Sequence, residues 1–339
     1  MELQFFKHAR YMSQFWEAYN KIEEQSWHIN HSNIFENNFF IIKKFTDTRS
    51  NESIFINPPR AGHHSNIAQA VIKFYINNTN YNVYSAEHKA ATQETKNFGI
   101  EEIVDEVETA FNCMTESNVI HLAGLCQGGW ANVMWAALNP DKVKSIIIAG
   151  TPIDFTIDGG KCNSGLLFVN NAYIENIINY HNGVWPGKKQ LCGFKMLNPV
   201  DRYLTTKFDL WNYIINEDEK NIKKWIRNNS WYESTLDLPG KMIMEVTNKL
   251  FRENQLINNK LNLFGNIVDL GKIDCPIVAI TGDEDDITLE RQCTEVLRYV
   301  SSKYKQHYSI PECGHIAIFL KNTALEKWGQ AIKFIQNSI

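Results

Sequence analysis

The sequence predicts an α/β fold: a mostly parallel sheet flanked by helices, with an inserted helical cap. Three observations carry this. Short β-branched runs alternate with helically spaced segments from residue 39 to residue 149. The string Gly124-Leu125-Cys126-Gln127-Gly128 reads as a strand turning sharply into a helix. A helical, aromatic block over residues 156–262 then separates this series from a second βα series that resumes at Ile277.

The elements follow in order. Residues 39–44 and 53–57 are strand-like, and the second run stops at Pro58-Pro59, where a strand cannot continue. After the loop Arg60-Ala61-Gly62-His63-His64, residues 67–76 have helical spacing and 82–85 form a short strand. Residues 100–114 read as a helix with acidic outer positions, 119–122 as the strand entering the Cys126 turn, and 130–138 as helix. Residues 144–149 and 277–280 are further buried strands, and 324–335 the last helix. The expected divisions are a helical N-terminal extension (1–38), a first part of the core (39–155), a helical cap or lid (156–262) and a second part of the core (263–339). Trp185, Trp211, Trp225 and Trp231 fall in the cap, which shows no convincing strand.

Composition narrows the function. With 34 Lys and Arg against 38 Asp and Glu, the net charge of −4 gives no global positive field for nucleic acid or an acidic membrane surface. At 44% hydrophobic residues the chain supports a substantial core, and it has no run of about 18 apolar residues that could span a bilayer. The first ten residues lack the pattern of a secretory signal, so the expected location is the cytoplasm. Seven cysteines without CxxC spacing fit neither a disulfide framework nor a zinc site.

Cys126 is the candidate nucleophile. The turn leaves the backbone N–H of Gln127 at a helix N-terminus, where it can stabilise a thiolate or an oxyanion. Asp285, in Gly282-Asp283-Glu284-Asp285-Asp286 after a late strand, is the candidate acid, with Asp286 as the alternative. His315, in Cys313-Gly314-His315, is the candidate general base. The chain order nucleophile, acid, histidine is that of α/β-hydrolases. The loop after the early strand would supply further oxyanion N–H groups from Arg60 and Ala61. His63, His64 and Trp130 are candidates for substrate contact. Neither His63 nor His64 has a matching ligand at metal spacing, so no metal is expected.

These residues resemble the superfamily of polyhydroxyalkanoate synthases and intracellular polyhydroxybutyrate depolymerases, α/β-hydrolases with a cysteine nucleophile. The resemblance runs from about Phe55 to the carboxyl terminus. Gly124 to Gly129, Asn139-Pro140-Asp141-Lys142-Val143-Lys144 and Thr151-Pro152-Ile153-Asp154-Phe155 are similar to the synthases. Ala61 to His64 resembles the Ser-Gly-His-Phe loop of the depolymerases. Trp231 to Pro239, Gly282 to Ile287 and Cys313 to Phe319 likewise resemble depolymerase segments. Synthases have Asp-His where this chain has Asp285-Asp286, and depolymerases have Cys-Gln-Pro where it has Cys126-Gln127-Gly128. The resemblance implies a Cys126, Asp285, His315 triad acting through an acyl-cysteine on a short-chain hydroxyalkanoate polyester or its oligomers. The alternatives are an acyltransferase using hydroxyacyl-CoA and a non-catalytic granule-binding protein. No cofactor is implied; coenzyme A enters only as a co-substrate. The partners to weigh are the polyester or an acyl ester or thioester, a granule surface and a second copy of the chain.

Overall fold

The computed structural model describes residues 2–46, 48, 50–157 and 169–339, with the side chains of 2–5 left aside. Eight strands form one sheet: β1 (Ser32–Glu36), β2 (Phe40–Lys44), β3 (Ser53–Asn57), β4 (Asn82–His88), β5 (Ile120–Leu125), β6 (Val143–Ala149), β7 (Ile277–Gly282) and β8 (Lys305–Ile310). Their spatial order is β1-β2-β4-β3-β5-β6-β7-β8. The first two pairings, β1 with β2 and β2 with β4, are antiparallel, and the rest are parallel. This is the α/β-hydrolase arrangement.

The central strands are apolar on both faces because helices cover both. Phe55, Leu122, Ile146 and Ile148 point into a core shared with α3 (Ile100–Cys113) and α4 (Gln127–Leu138). The alternate residues Ile54, Ile56, Ala123 and Ile147 point to the other face. There they meet α2 (Gln69–Asn78) and the last helix, Asn322–Gln336, through Val71, Ile72 and Trp328. Helix α3 begins where Glu102 accepts the Gly99 N–H at 2.5 Å. It turns Val104, Val107 and Ala110 inward, and with them one charged residue, Glu106.

Between β6 and β7 lie α5 (Asn171–Tyr180), α6 (Gly187–Leu197), α7 (Thr206–Ile215), α8 (Glu219–Glu233) and α9 (Gly240–Glu245). Part of the expected cap, residues 158–168, lies outside the described residues. The block does contain strand: Val184–Trp185 pairs antiparallel with Leu238–Pro239. A two-residue ladder has no periodicity to read.

The expected helical extension over 1–38 is corrected in part. Helix α1 (Glu2–Asn20) is present, but Ser32–Glu36 is the edge strand β1, exposed throughout. An edge strand with solvent on both faces carries no hydrophobic alternation to mark it. Helix α1 packs against the helical block through Tyr11, Phe15 and Ala18, which meet Leu210, Ile214 and Ile226. Arg10 pairs with Glu217 at 2.6 Å, and the Glu23 N–H donates to Ser230 Oγ at 2.9 Å. Among the described residues, no helix is long and apolar enough to cross a membrane.

Candidate active site

Cys126 sits between the end of β5 and the start of α4 with φ 50° and ψ −117°. A non-glycine residue there is strained and is held only because its surroundings fix it. The Cys126 N–H donates to Ala149 O at 2.8 Å, and its carbonyl accepts from Gly129 N and Thr151 Oγ1, each at 2.9 Å. Two glycines make room for the turn. A Cβ on Gly124 would overlap the backbone of Gly129, and one on Gly128 would overlap Asn57 O and Pro58 O. The loop leaving β3 therefore crosses directly over the first turn of α4. Gly128→Ala is expected to cost about 1–3 kcal/mol, because backbone rather than a flexible side chain must yield; a denaturant midpoint equal to wild type would contradict this.

His315 and Asp285 meet on the same side of the sheet. His315 Nδ1 lies 2.7 Å from Asp285 Oδ2, and both side chains are buried. The other carboxylate oxygen, Oδ1, accepts the backbone N–H of Ile287 at 3.0 Å and of Thr288 at 2.9 Å. Asp285 is thus the carboxylate bonded to the histidine. Cys126 is near enough for its sulfur to act on the His315 imidazole. Burial disfavours the imidazolium, but the Asp285 carboxylate and the Cys126 sulfur outweigh it and push His315 well above the usual imidazole range.

The structure places the other candidates as follows. Gln127 opens α4, so its N–H has no preceding turn to bond to. The Arg60 side chain turns inward: its guanidinium lies 3.7 Å over the Phe39 ring and bonds Glu106 at 2.5 Å. Ala61 leads into His63, whose ring Nε2 lies 3.1 Å from Tyr232 O. That ring stacks on Trp231 at 4.8 Å and Tyr232 at 5.5 Å, so His63 pins the loop to the C-terminal end of α8. His64 Nδ1 accepts the Asn66 N–H at 3.1 Å and caps a short 3-10 turn. Trp130 is buried, donates to Pro152 O at 2.7 Å and packs edge-on against Phe155 and Phe251.

Burial depresses His63 from 6.5 to about 4, despite the two backbone carbonyl groups near its ring. Between those values the unfolded chain binds a proton that the folded chain does not. Stability from this group is therefore complete above pH 6.5 and falls as pH drops toward 4, by roughly 3 kcal/mol at most. Buried His88 and His121, also depressed, act in the same direction. A melting temperature that declines from pH 7 to pH 4.5, and declines less in His63→Gln, is the expected result; identical slopes would contradict it.

A small cavity adjoins the elbow. It is lined by Asn57, Arg60, His88 and Glu106 on the core side, by Gln127, Gly128 and Trp130 of α4, and by residues of the helical block that include Gln190, Leu238 and Met242. The block thus faces the elbow. Sequence reasoning missed His88, Glu106 and Gln190; nothing in their local pattern separates them from ordinary strand and helix residues.

Residues 168–336 match a family model described as PHB de-polymerase C-terminus. A poly(3-hydroxyalkanoate) polymerase subunit PhaC from Thiocystis violacea is 26% identical over 217 residues, 64% of this chain and 59% of that protein. Its counterpart from Haloferax mediterranei is 27% identical over 168 residues, 50% of this chain and 33% of that one. The chain therefore spans less than two thirds of the length of these relatives. Among solved structures, a bacterial membrane phospholipase A superposes with a TM-score of 0.57 at 14% identity, covering 99% of this chain and 94% of that one. A Bacillus megaterium epoxide hydrolase gives 0.54 at 12% identity, covering 91% and 100%. The chain has an α/β-hydrolase fold and is a distant relative of the PhaC and PHB depolymerase proteins.

Proposed function

We propose that this protein is a cysteine-dependent hydrolase of short-chain hydroxyalkanoate polyester or oligomers, with Cys126 as nucleophile, His315 as base and Asp285 as orienting acid. The observation that carries the reading is His315, bonded at 2.7 Å to a buried Asp285 and close enough to the strained Cys126 for its sulfur to raise the imidazole. His315 takes the thiol proton as Cys126 sulfur attacks the ester carbonyl. The oxyanion is held by the Gln127 N–H and by backbone N–H groups of Arg60 and Ala61. Collapse breaks the ester C–O bond, the leaving alkoxide takes the proton from His315, and an acyl-cysteine remains. Water, deprotonated by His315, then cleaves the thioester and returns the thiol. The helical block acts as a lid over this chemistry, since an ester polymer offers no charge and must be bound by apolar contact and exclusion of water.

A second reading has one observation in its favour: the curated relatives quoted above are named as polymerase subunits. In that case a hydroxyacyl thioester loads Cys126, and the hydroxyl of a growing chain replaces water. Incubation with amorphous polyhydroxybutyrate granules, with and without CoA, separates the two. Soluble 3-hydroxy acid without CoA supports the hydrolase. CoA release with chain growth from 3-hydroxybutyryl-CoA supports the polymerase. Neither product, together with failure of a thiol-directed acyl mimic to label Cys126, would refute both and leave a binding protein.

A further inference from the structure

Behind the loop that crosses the elbow lies a buried ionic cluster that the chemistry above does not use. Arg60 Nη2 bonds one oxygen of Glu106 at 2.5 Å, and His88 Nε2 lies 3.1 Å from the other. All three side chains are at most 4% exposed. Buried ion pairs of this kind give little net stability over apolar side chains of similar size, so stability alone does not account for the cluster.

Its hydrogen bonding is incomplete in a specific way. Burial works against the Glu106 carboxylate, but His88 and Arg60 outweigh it and hold the group at about 2, so it is ionised and only accepts. Burial, with Arg60 beside it, depresses His88 and so favours its neutral form. The single imidazole proton then sits on Nε2, facing Glu106, and Nδ1 is a bare acceptor. Among the described residues, Arg60 Nε and His88 Nδ1 are buried with no partner. One is a donor and the other an acceptor, and both belong to residues lining the cavity beside Gln127 and Gly128.

We propose that this cavity is a hydroxyl subsite: it receives the 3-hydroxyl of an acyl group carried on Cys126, with Arg60 Nε–H donating to the hydroxyl oxygen and the hydroxyl proton donated to His88 Nδ1. A carbonyl could satisfy only the donor and an ammonium only the acceptor; a hydroxyl satisfies both. The size agrees. The cavity is about 30 Å³, which gives room for a group at least the size of a hydroxyl. Leu238, Met242, Ile243 and Val246 close it with apolar surface. The proposal rests on the reading above in taking a hydroxyacyl group as the ligand, and it makes Arg60 and His88 specificity determinants of the same site.

The test is calorimetric titration of the Cys126→Ala protein with methyl 3-hydroxybutanoate and with methyl butanoate, which needs no turnover. A preference of about 10–100-fold for the hydroxy ester is expected, the range for hydrogen bonds that involve a charged group. It should shrink toward unity with His88→Leu added and persist with His88→Gln added, since the amide can donate to Glu106 and still accept the hydroxyl. Equal affinities in the Cys126→Ala background, no binding of either ester, or a preference that survives His88→Leu would each overturn the proposal. Should His88→Leu not fold, the first comparison still decides. Turnover of the two esters by the unaltered enzyme is measured in parallel: no turnover strikes the hydrolase reading, while the affinity ratio alone judges the subsite.

Discussion

Turnover is expected to disappear in Cys126→Ala, by a factor on the order of 10⁴–10⁶, while the protein stays folded. The fold should survive because the bonds that hold the turn are made by the backbone. The Cys126 N–H to Ala149 and its carbonyl from Gly129 and Thr151 are untouched by the substitution, and alanine inherits the same φ of 50° at no new cost. His315→Ala should lose a comparable amount, and the double variant no more than either single one, because a nucleophile and its base act as a unit. Cys126→Ser should retain only weak activity, since a hydroxyl is much harder to deprotonate than a thiol. Ester turnover by purified, folded Cys126→Ala at the wild-type rate would remove the whole catalytic reading.

Asp285→Asn should cost on the order of 10⁴ in kcat, with Asp286→Asn close to wild type. The asymmetry follows from the bonds at Asp285. Its two oxygens accept from Ile287, Thr288 and His315, all of which donate. An asparagine must turn its amide N–H toward one of those donors. If it faces His315, the imidazole is driven into the tautomer that cannot take the Cys126 proton. Loss of the carboxylate charge also removes the main influence raising His315, so its titration should move to lower pH. A pH profile of kcat/KM for the two asparagine variants checks both points. The reverse ranking would transfer the role to Asp286.

What was legible in the sequence is what local pattern determines. The buried strands from Ser53 to Ala149, helices α2, α3 and α4, and the turn at Cys126 lie within about three residues of the expected bounds, because apolar periodicity and punctuating Gly and Pro residues fix them. Chain order is what made His315 and Asp285 candidates, and their side chains lie 2.7 Å apart. Strand β8, Lys-Gln-His-Tyr-Ser-Ile over 305–310, is too polar to have marked itself. Glu106 looked like one more acidic position on the outer face of α3. Only the packing of Arg60, 46 residues away, and of His88 makes it an inward charge. His63 and His64 invited a ligand-contact reading because they stand in a Gly-containing loop. Whether such a ring meets substrate or Trp231 depends on a helix more than 160 residues further along the chain.

The docking of α1 sets an order on how the chain can be made. Residues 2–20 leave the ribosome long before residues 206–233, yet Tyr11, Phe15 and Ala18 find their partners only there. During that interval an isolated 19-residue helix is marginal in water, and its apolar stripe has nothing to cover it. The helical block must therefore be complete before α1 can settle. Nascent chains arrested before residue 206 should present α1 to a chaperone or protease, and chains arrested beyond 233 should not.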